Sequence, residues 1–200
     1  AADMAARDVK IHIQLPKGAA LIPLSPSYKC EINEGEAVVS VGDIPIDLEV
    51  EIPLRLTLFS GKEGERLGID GEIKYAAPSG DYVQREINRV TVRFIKEKDY
   101  KKALGVVKPV AERVARQMHA TQVLNYSRAY SQADEEQIKA VEQSRTRFEE
   151  YLNLLDEDVQ EELHEEVERD LFSVRSGSPM AKNAVYSAYQ TQRSMRGRKK

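Results

Sequence analysis

The sequence holds a single cysteine, Cys30, so it can close no intrachain disulfide, and it offers no CxxC pair or Cys/His spacing for zinc. A disulfide scaffold and a zinc finger are excluded. No apolar run approaches the ~20 residues that a membrane-spanning helix needs. The opening AADMAARDVK carries an acid and has no apolar h-region, so it does not read as a signal peptide. The expectation is a cytoplasmic chain, and an extracytoplasmic place would need a leader from outside this sequence. The first residue is not Met, which suits a processed product or a piece of something longer. Also missing are the phosphate cradles GxxxxGKS/T and GxGxxG and the nucleophile elbow GxSxG, so nucleotide binding and serine-hydrolase chemistry have no support.

What is present is ordinary globular material. The chain has 200 residues, 41% hydrophobic and 32% charged, with 11 glycines and 8 prolines. That is enough to bury a core unaided.

The first half alternates with a period of two. Val9, Ile11, Ile13 and Leu15 mark a half-buried strand from Arg7 to Leu15, followed by a turn at Pro16-Lys17-Gly18. Tyr28–Ile32 and Ala37–Val41 flank Asn33-Glu34-Gly35 as a hairpin, and Gly42-Asp43 closes the second strand. From Ile46 to Leu58 seven apolar residues fall on one parity, which predicts one long strand with Pro53 at an edge or bulge. Beyond the Gly61–Gly68 loop come Ile69–Tyr75 and Val83–Ile95, joined at Pro78-Ser79-Gly80-Asp81. In the last run Val83 and Ile87 share one parity while Val90, Val92 and Phe94 share the other, and a bulge near Asn88-Arg89 reconciles them. Six or seven such strands imply a small antiparallel β-sandwich.

Near Lys96 the period changes. Val107, Val110, Val114 and Met118 step by three and four, predicting a helix over Pro109–Arg128 with these residues inward. Ile138, Val141, Phe148, Leu152 and Leu155 form a second seam broken by Arg145, after a cap at Ser131 to Asp134. Asp156 caps a third helix carrying Val159, Leu163, Val167, Leu171 and Val174, and Ser178-Pro179 opens a fourth, running to about Met195. The expected fold class is α+β, an antiparallel sandwich over 1–96 followed by a helical hairpin or bundle with a basic tail over 97–200.

The net charge of −3 conceals a segregation. From Asp134 to Asp170 fifteen acids stand against Lys139, Arg145, Arg147 and Arg169, a net of −11, while the segments on either side carry +5 and +7. Complementary helices packed side by side account for this pattern, each surface pair worth under ~1 kcal/mol but the set fixing register. The tail residues Arg193, Arg196, Arg198, Lys199 and Lys200 have no recognition motif around them, so nucleic-acid binding is not expected.

No residue set stands out for chemistry. Glu161-x-x-His164 is half of a di-iron helix motif, but no second copy occurs, so these residues with Glu165 and Glu168 read as a solvated face. His12 lies on the polar parity of its strand and His119 beside a core position, neither with a nucleophile or carboxylate close in sequence. Cys30 reads as a small buried hydrophobe. The expectation is no enzyme: no catalytic residue, no cofactor-binding residue, no metal ligand and no magnesium-dependent melting.

The order of features carries a resemblance. The Ala6-Arg7-Asp8-Val9-Lys10-Ile11 strand, the Leu15-Pro16-Lys17-Gly18 and Val41-Gly42-Asp43-Ile44 turns, the Val50-Glu51-Ile52-Pro53-Leu54-Arg55-Leu56 strand and a helical end with Tyr186, Tyr189 and arginines follow one another. Together they resemble the region after the von Willebrand factor A domain of bacterial proteins described as calcium-activated chloride channel homologues. The resemblance implies a non-enzymatic protein-interaction or scaffold module accompanying a metal-dependent A domain that lies outside this chain, whose Asp-x-Ser-x-Ser pattern does not occur here. It also implies a sandwich left open at one edge, which a strand from elsewhere can complete or through which the chain can self-associate. The alternative is a free-standing helical adaptor that binds nucleic acid or another charged partner through the basic tail and acidic helices.

Overall fold

The computed structural model describes residues 3–99 and 105–193, and the backbone of 195–197. Two compact units emerge, Ala1–Gly105 together with Met195–Lys200, and Val106–Ser194.

The first unit is an antiparallel β structure. Strands β1 (Met4–Gln14), β4 (Glu36–Pro45), β7 (Arg66–Ala76), β8 (Tyr82–Arg93) and β3 (Lys29–Asn33) form one sheet in the order β3-β4-β1-β7-β8. Two further pairs join β2 (Ala20–Pro23) to β6 (Leu54–Thr57) and β5 (Leu48–Val50) to β9 (Met195–Gly197). Ile13, Val39 and Ile69 of the main sheet share one core with Leu21 of β2 and with Val50, Ile52, Leu54 and Leu56. The hairpin at Glu34-Gly35 turns with φ of 49° and 86°, a primed turn that matches strand twist.

Three strand expectations are revised. The run from Ile46 to Leu58 holds its parity from Leu48 onward save at buried Pro53, with Ile46 exposed, and it is two strands, because Pro53 supplies no N–H while its carbonyl accepts from the Leu24 amide at 3.0 Å. Gly42, at φ 87°, does not end β4; the strand passes through a register shift and continues to Pro45. Likewise β1 begins at Met4, across an irregularity where Asp8, at φ 47°, donates its amide to Asp43 at 2.9 Å.

The second unit is four helices, α1 (Lys108–Gln132), α2 (Glu135–Leu152), α3 (Glu157–Ser176) and α4 (Ala181–Gln192). Pro109 occupies the first turn of α1, and Asp134 caps α2 by accepting from the Gln137 amide at 3.0 Å. Asp156 precedes α3 as expected but makes no side-chain cap; its carboxylate takes Lys108 at 2.5 Å. Gly177 ends α3 in the left-handed conformation, φ 63°. Helix α1 packs against the other three, and for that reason its expected inward face is revised: Val107 and Val110 are exposed, and Ala111, Ala115, Ala120, Val123 and Ala129 are buried. The backbone of Met195–Gly197 pairs with β5, so it belongs to the β unit rather than trailing from the helices. Arg198, Lys199 and Lys200 lie outside the described residues.

Candidate functional site

The β unit presents an open margin. Strand β8 ends the sheet order and pairs only with β7, so its outer edge has no strand partner among the described residues. Ile69 stands opposite Val90 and Gly71 opposite Ile87, which leaves Asn88 and Arg89 facing Asp70 alone. This is the bulge that the parity break in the sequence demanded. The extra residue brings Val83 and Ile87 onto the same face as Val90 and Val92, the face of buried Ile69. Gly71 permits it, since a Cβ there would lie 2.7 Å from the His12 carbonyl and 3.1 Å from Ile87. The second layer does not extend to the end of that face: Val90 is 58% exposed and Ile87 37%.

The opposite face of this margin is polar. Arg89 clamps Asp70 with two bonds of 2.6 Å, and the pairing holds the Asp70 carboxyl below its usual range. Lys74 meets Glu72 at 2.6 Å, Gln84 donates to Glu72, and His12 Nδ1 stands 3.2 Å from Glu36. Arg66 and Arg93 on this face, and Arg85 on the apolar face opposite Ile73, are exposed and make no ion pair among the described residues. The margin is thus an apolar strip bordered by uncommitted guanidinium groups.

In the helical unit a second polar group is buried. On α1, Arg116 and His119 are one turn apart; on α3, Glu162, Glu166 and Asp170 step by four and present one face. Arg116 binds Glu112 at 3.0 Å, Glu162 at 3.2 Å and Glu166 at 3.4 Å, the basic-to-acidic helix pairing that the charge pattern predicted. His119 is 6% exposed, its Nε2 lies 3.5 Å from Asp170 Oδ2, and that nitrogen makes no hydrogen bond. Burial pushes the imidazole down to about 4, and burial raises the Asp170 carboxyl. Ser187 and Thr191 of α4 close a cavity of about 30 Å³ beside these groups.

The sequence did not join His119 to Glu166 and Asp170, because they come from different helices and only the fold unites them. The available signal was the i, i+4 pair Glu166 and Asp170 on a face otherwise reading as solvated. Glu161, His164, Glu165 and Glu168 are indeed exposed. Cys30 is half-buried, its thiol pointing at the Leu21 carbonyl at 3.5 Å and pushed up by burial. No described helix is long and apolar enough to cross a membrane.

No family model and no curated protein matches this sequence. Two solved structures are similar in fold. One is described as a von Willebrand factor type A protein from Catenulispora acidiphila, 14% identical, TM-score 0.48, covering 86% of this chain and 39% of that one. The other is the ArnB paralog VWA2 from Sulfolobus acidocaldarius, 11% identical, TM-score 0.43, covering 94% of this chain and 42% of that one. This chain therefore spans about two fifths of either structure. The expectation of a companion module whose A domain lies elsewhere is corrected by this finding, since the likeness to von Willebrand factor type A structures runs through most of the chain itself. Neither description mentions a chloride channel.

Proposed function

We propose that this chain is a non-enzymatic protein-binding protein that accepts an extended, acidic and apolar segment of a partner along β8. The carrying observation is the conjunction at one margin of a twelve-residue strand with a free edge, an exposed apolar strip at Ile87 and Val90, and uncommitted Arg85 and Arg93. Natural sheets blunt such edges by shortening, twisting or covering them. Added strands draw affinity from main-chain hydrogen bonds and specificity from alternate side chains. A segment alternating apolar and acidic residues would lay its apolar set beside Ile87 and Val90, its alternate carboxylates would meet Arg93 on the other face, and an acid ending the apolar set would meet Arg85.

The test is a titration with a synthetic peptide alternating Glu and Val, followed by fluorescence anisotropy. Binding should weaken at least tenfold with Arg85→Glu/Arg93→Glu and with Val90→Lys, and should fall with salt as exposed charges are screened within ~10 Å at 0.1 M. The control Arg55→Glu, at an exposed position of β6, should leave binding unchanged. A peptide bound equally by all variants, or not bound at all, contradicts the reading.

A further inference from the structure

We propose that His119, Glu166 and Asp170 form a site for one divalent transition-metal ion of the zinc class, tying α1 to α3. The three donor atoms lie within 4.8 Å of one another. The His119 side chain is more than nine-tenths buried, and its Nε2, without a hydrogen bond, points at the Asp170 carboxylate 3.5 Å away. Donors on a tetrahedral zinc ion stand roughly 3.3 Å apart, from metal–ligand bonds of about 2.0–2.2 Å, so this pair already has the required separation. Glu166 reaches the same point by rotating a longer side chain.

The donor chemistry favours a borderline metal over magnesium or calcium. A buried neutral imidazole is a good ligand for zinc, and hard alkaline-earth ions take oxygen sets. Two carboxylates balance a dication. The adjoining space of about 30 Å³, lined by Ser187 and Thr191, holds an ion with a water and no larger ligand.

Arg116 is the competing cation. Its contact to Glu166, 3.4 Å, is the longest of its three carboxylate contacts, and Glu112 and Glu162 hold it when Glu166 turns to a metal. The other charged group at the site is Arg169, whose Nε lies 3.7 Å from the second Asp170 oxygen and leaves Oδ2 to the metal. This site departs from the sequence expectation of no metal ligand.

The experiment uses the whole chain, stripped with chelator and titrated with zinc by calorimetry, then with cobalt by visible absorption. One zinc per chain is expected, with cobalt d–d bands showing a nitrogen and oxygen set of low coordination number. Glu166→Gln should weaken zinc at least tenfold, and His119→Gln should abolish the cobalt bands. His164→Ala, on the exposed face, should change neither. If His119→Gln fails to fold, Glu166→Gln alone decides, since its side chain is isosteric and partly exposed. No zinc uptake by the folded chain, or uptake that Glu166→Gln leaves intact, overturns the proposal, as does uptake lost with His164→Ala.

Discussion

The two units solve the problem of a core with different materials. In the β unit the inside is branched aliphatic: Val9, Ile13, Leu21, Val39 and Ile69 are buried, and Val50, Ile52, Leu54 and Leu56 pack against them in strict alternation. In the helical unit the central helix buries Ala111, Ala115, Ala120 and Ala129 together with Arg113, Gln117, His119 and Gln122. Small residues let the helices approach closely, and polar ones must then be satisfied or remain a cost. A period of two announces itself in sequence because each buried side chain is large; a helix surrounded on several sides by neighbours has no single apolar stripe to read.

The contrast can be broken most forcefully at the few large side chains of the helical core. Phe148 is 1% exposed and lies with Ala111, Ala115, Leu152 and Leu163. Phe148→Ala should cost about 3–5 kcal/mol in denaturant unfolding, because its alanine neighbours are too small to fill the cavity. Leu21→Ala in the β unit, where flexible Leu54 and Leu56 border the gap, should sit at the lower end of about 2–5 kcal/mol. Equal tolerance of both by the chain would show that neither cluster is a core.

Next in size is acid sensitivity. Folding lowers the His119 imidazole from its ordinary 6.5 to about 4, so between those values the unfolded chain binds the additional proton. Stability from this group is complete above pH 6.5 and falls as pH drops toward 4, by on the order of 3 kcal/mol. Asp170 opposes it at the acid end, since a carboxyl raised in the folded state takes up its proton there first. Stability measured against pH in chelator should therefore fall from 6.5 downward and level off, and His119→Gln should flatten the curve. An unchanged curve in that variant would assign the slope to other groups.

A smaller effect, of opposite sign, is expected at Gln117, which is 1% exposed with neither side-chain polar atom hydrogen-bonded. Gln117→Met keeps the length and removes the unsatisfied amide, so thermal unfolding should show a gain of about 1 kcal/mol. A loss of that size would mean the amide is satisfied in solution. The smallest change belongs to Lys108→Ala, which removes an exposed pair with Asp156 and should shift stability by less than about 0.5 kcal/mol, vanishing in salt.

Most of the β unit was legible because alternation, turn residues and proline each act locally. The bulge at Asn88-Arg89 could be placed from the parity of Val83, Ile87, Val90 and Val92 alone, and the Asn33-Glu34-Gly35 hairpin from its turn chemistry. Pro53 was recognised as a disturbance, but whether a strand bends or breaks there depends on Leu24, a partner distant in sequence. The helix starts at Pro109 and after Asp156 were legible; the cap expected at Ser131 lies inside α1 and Asp134 takes its place, and Ser178-Pro179, expected to open α4, form a turn before the helix begins at Ala181. The face of α1 was not, because Val107 and Val110 imitate a core stripe while the packing selects alanines. The His119 cluster was hidden for a related reason: histidine and its carboxylates meet only after α1 and α3 pair. The open margin at β8 was visible only as a resemblance until the strand order fixed which strand ends the sheet.

The central claim is that β8 is an edge waiting for a strand, and hydrogen exchange resolved along the chain tests it directly. In the chain alone, amides of 82–87 should exchange faster than those of 71–76, which they face and which have strands on both sides. Addition of the alternating Glu and Val peptide should slow exchange over 82–93 and leave 29–33, the opposite margin, unchanged. Protection of 82–87 equal to that of 71–76 before any peptide is added, or slowing by the peptide elsewhere and not at 82–93, would contradict the account.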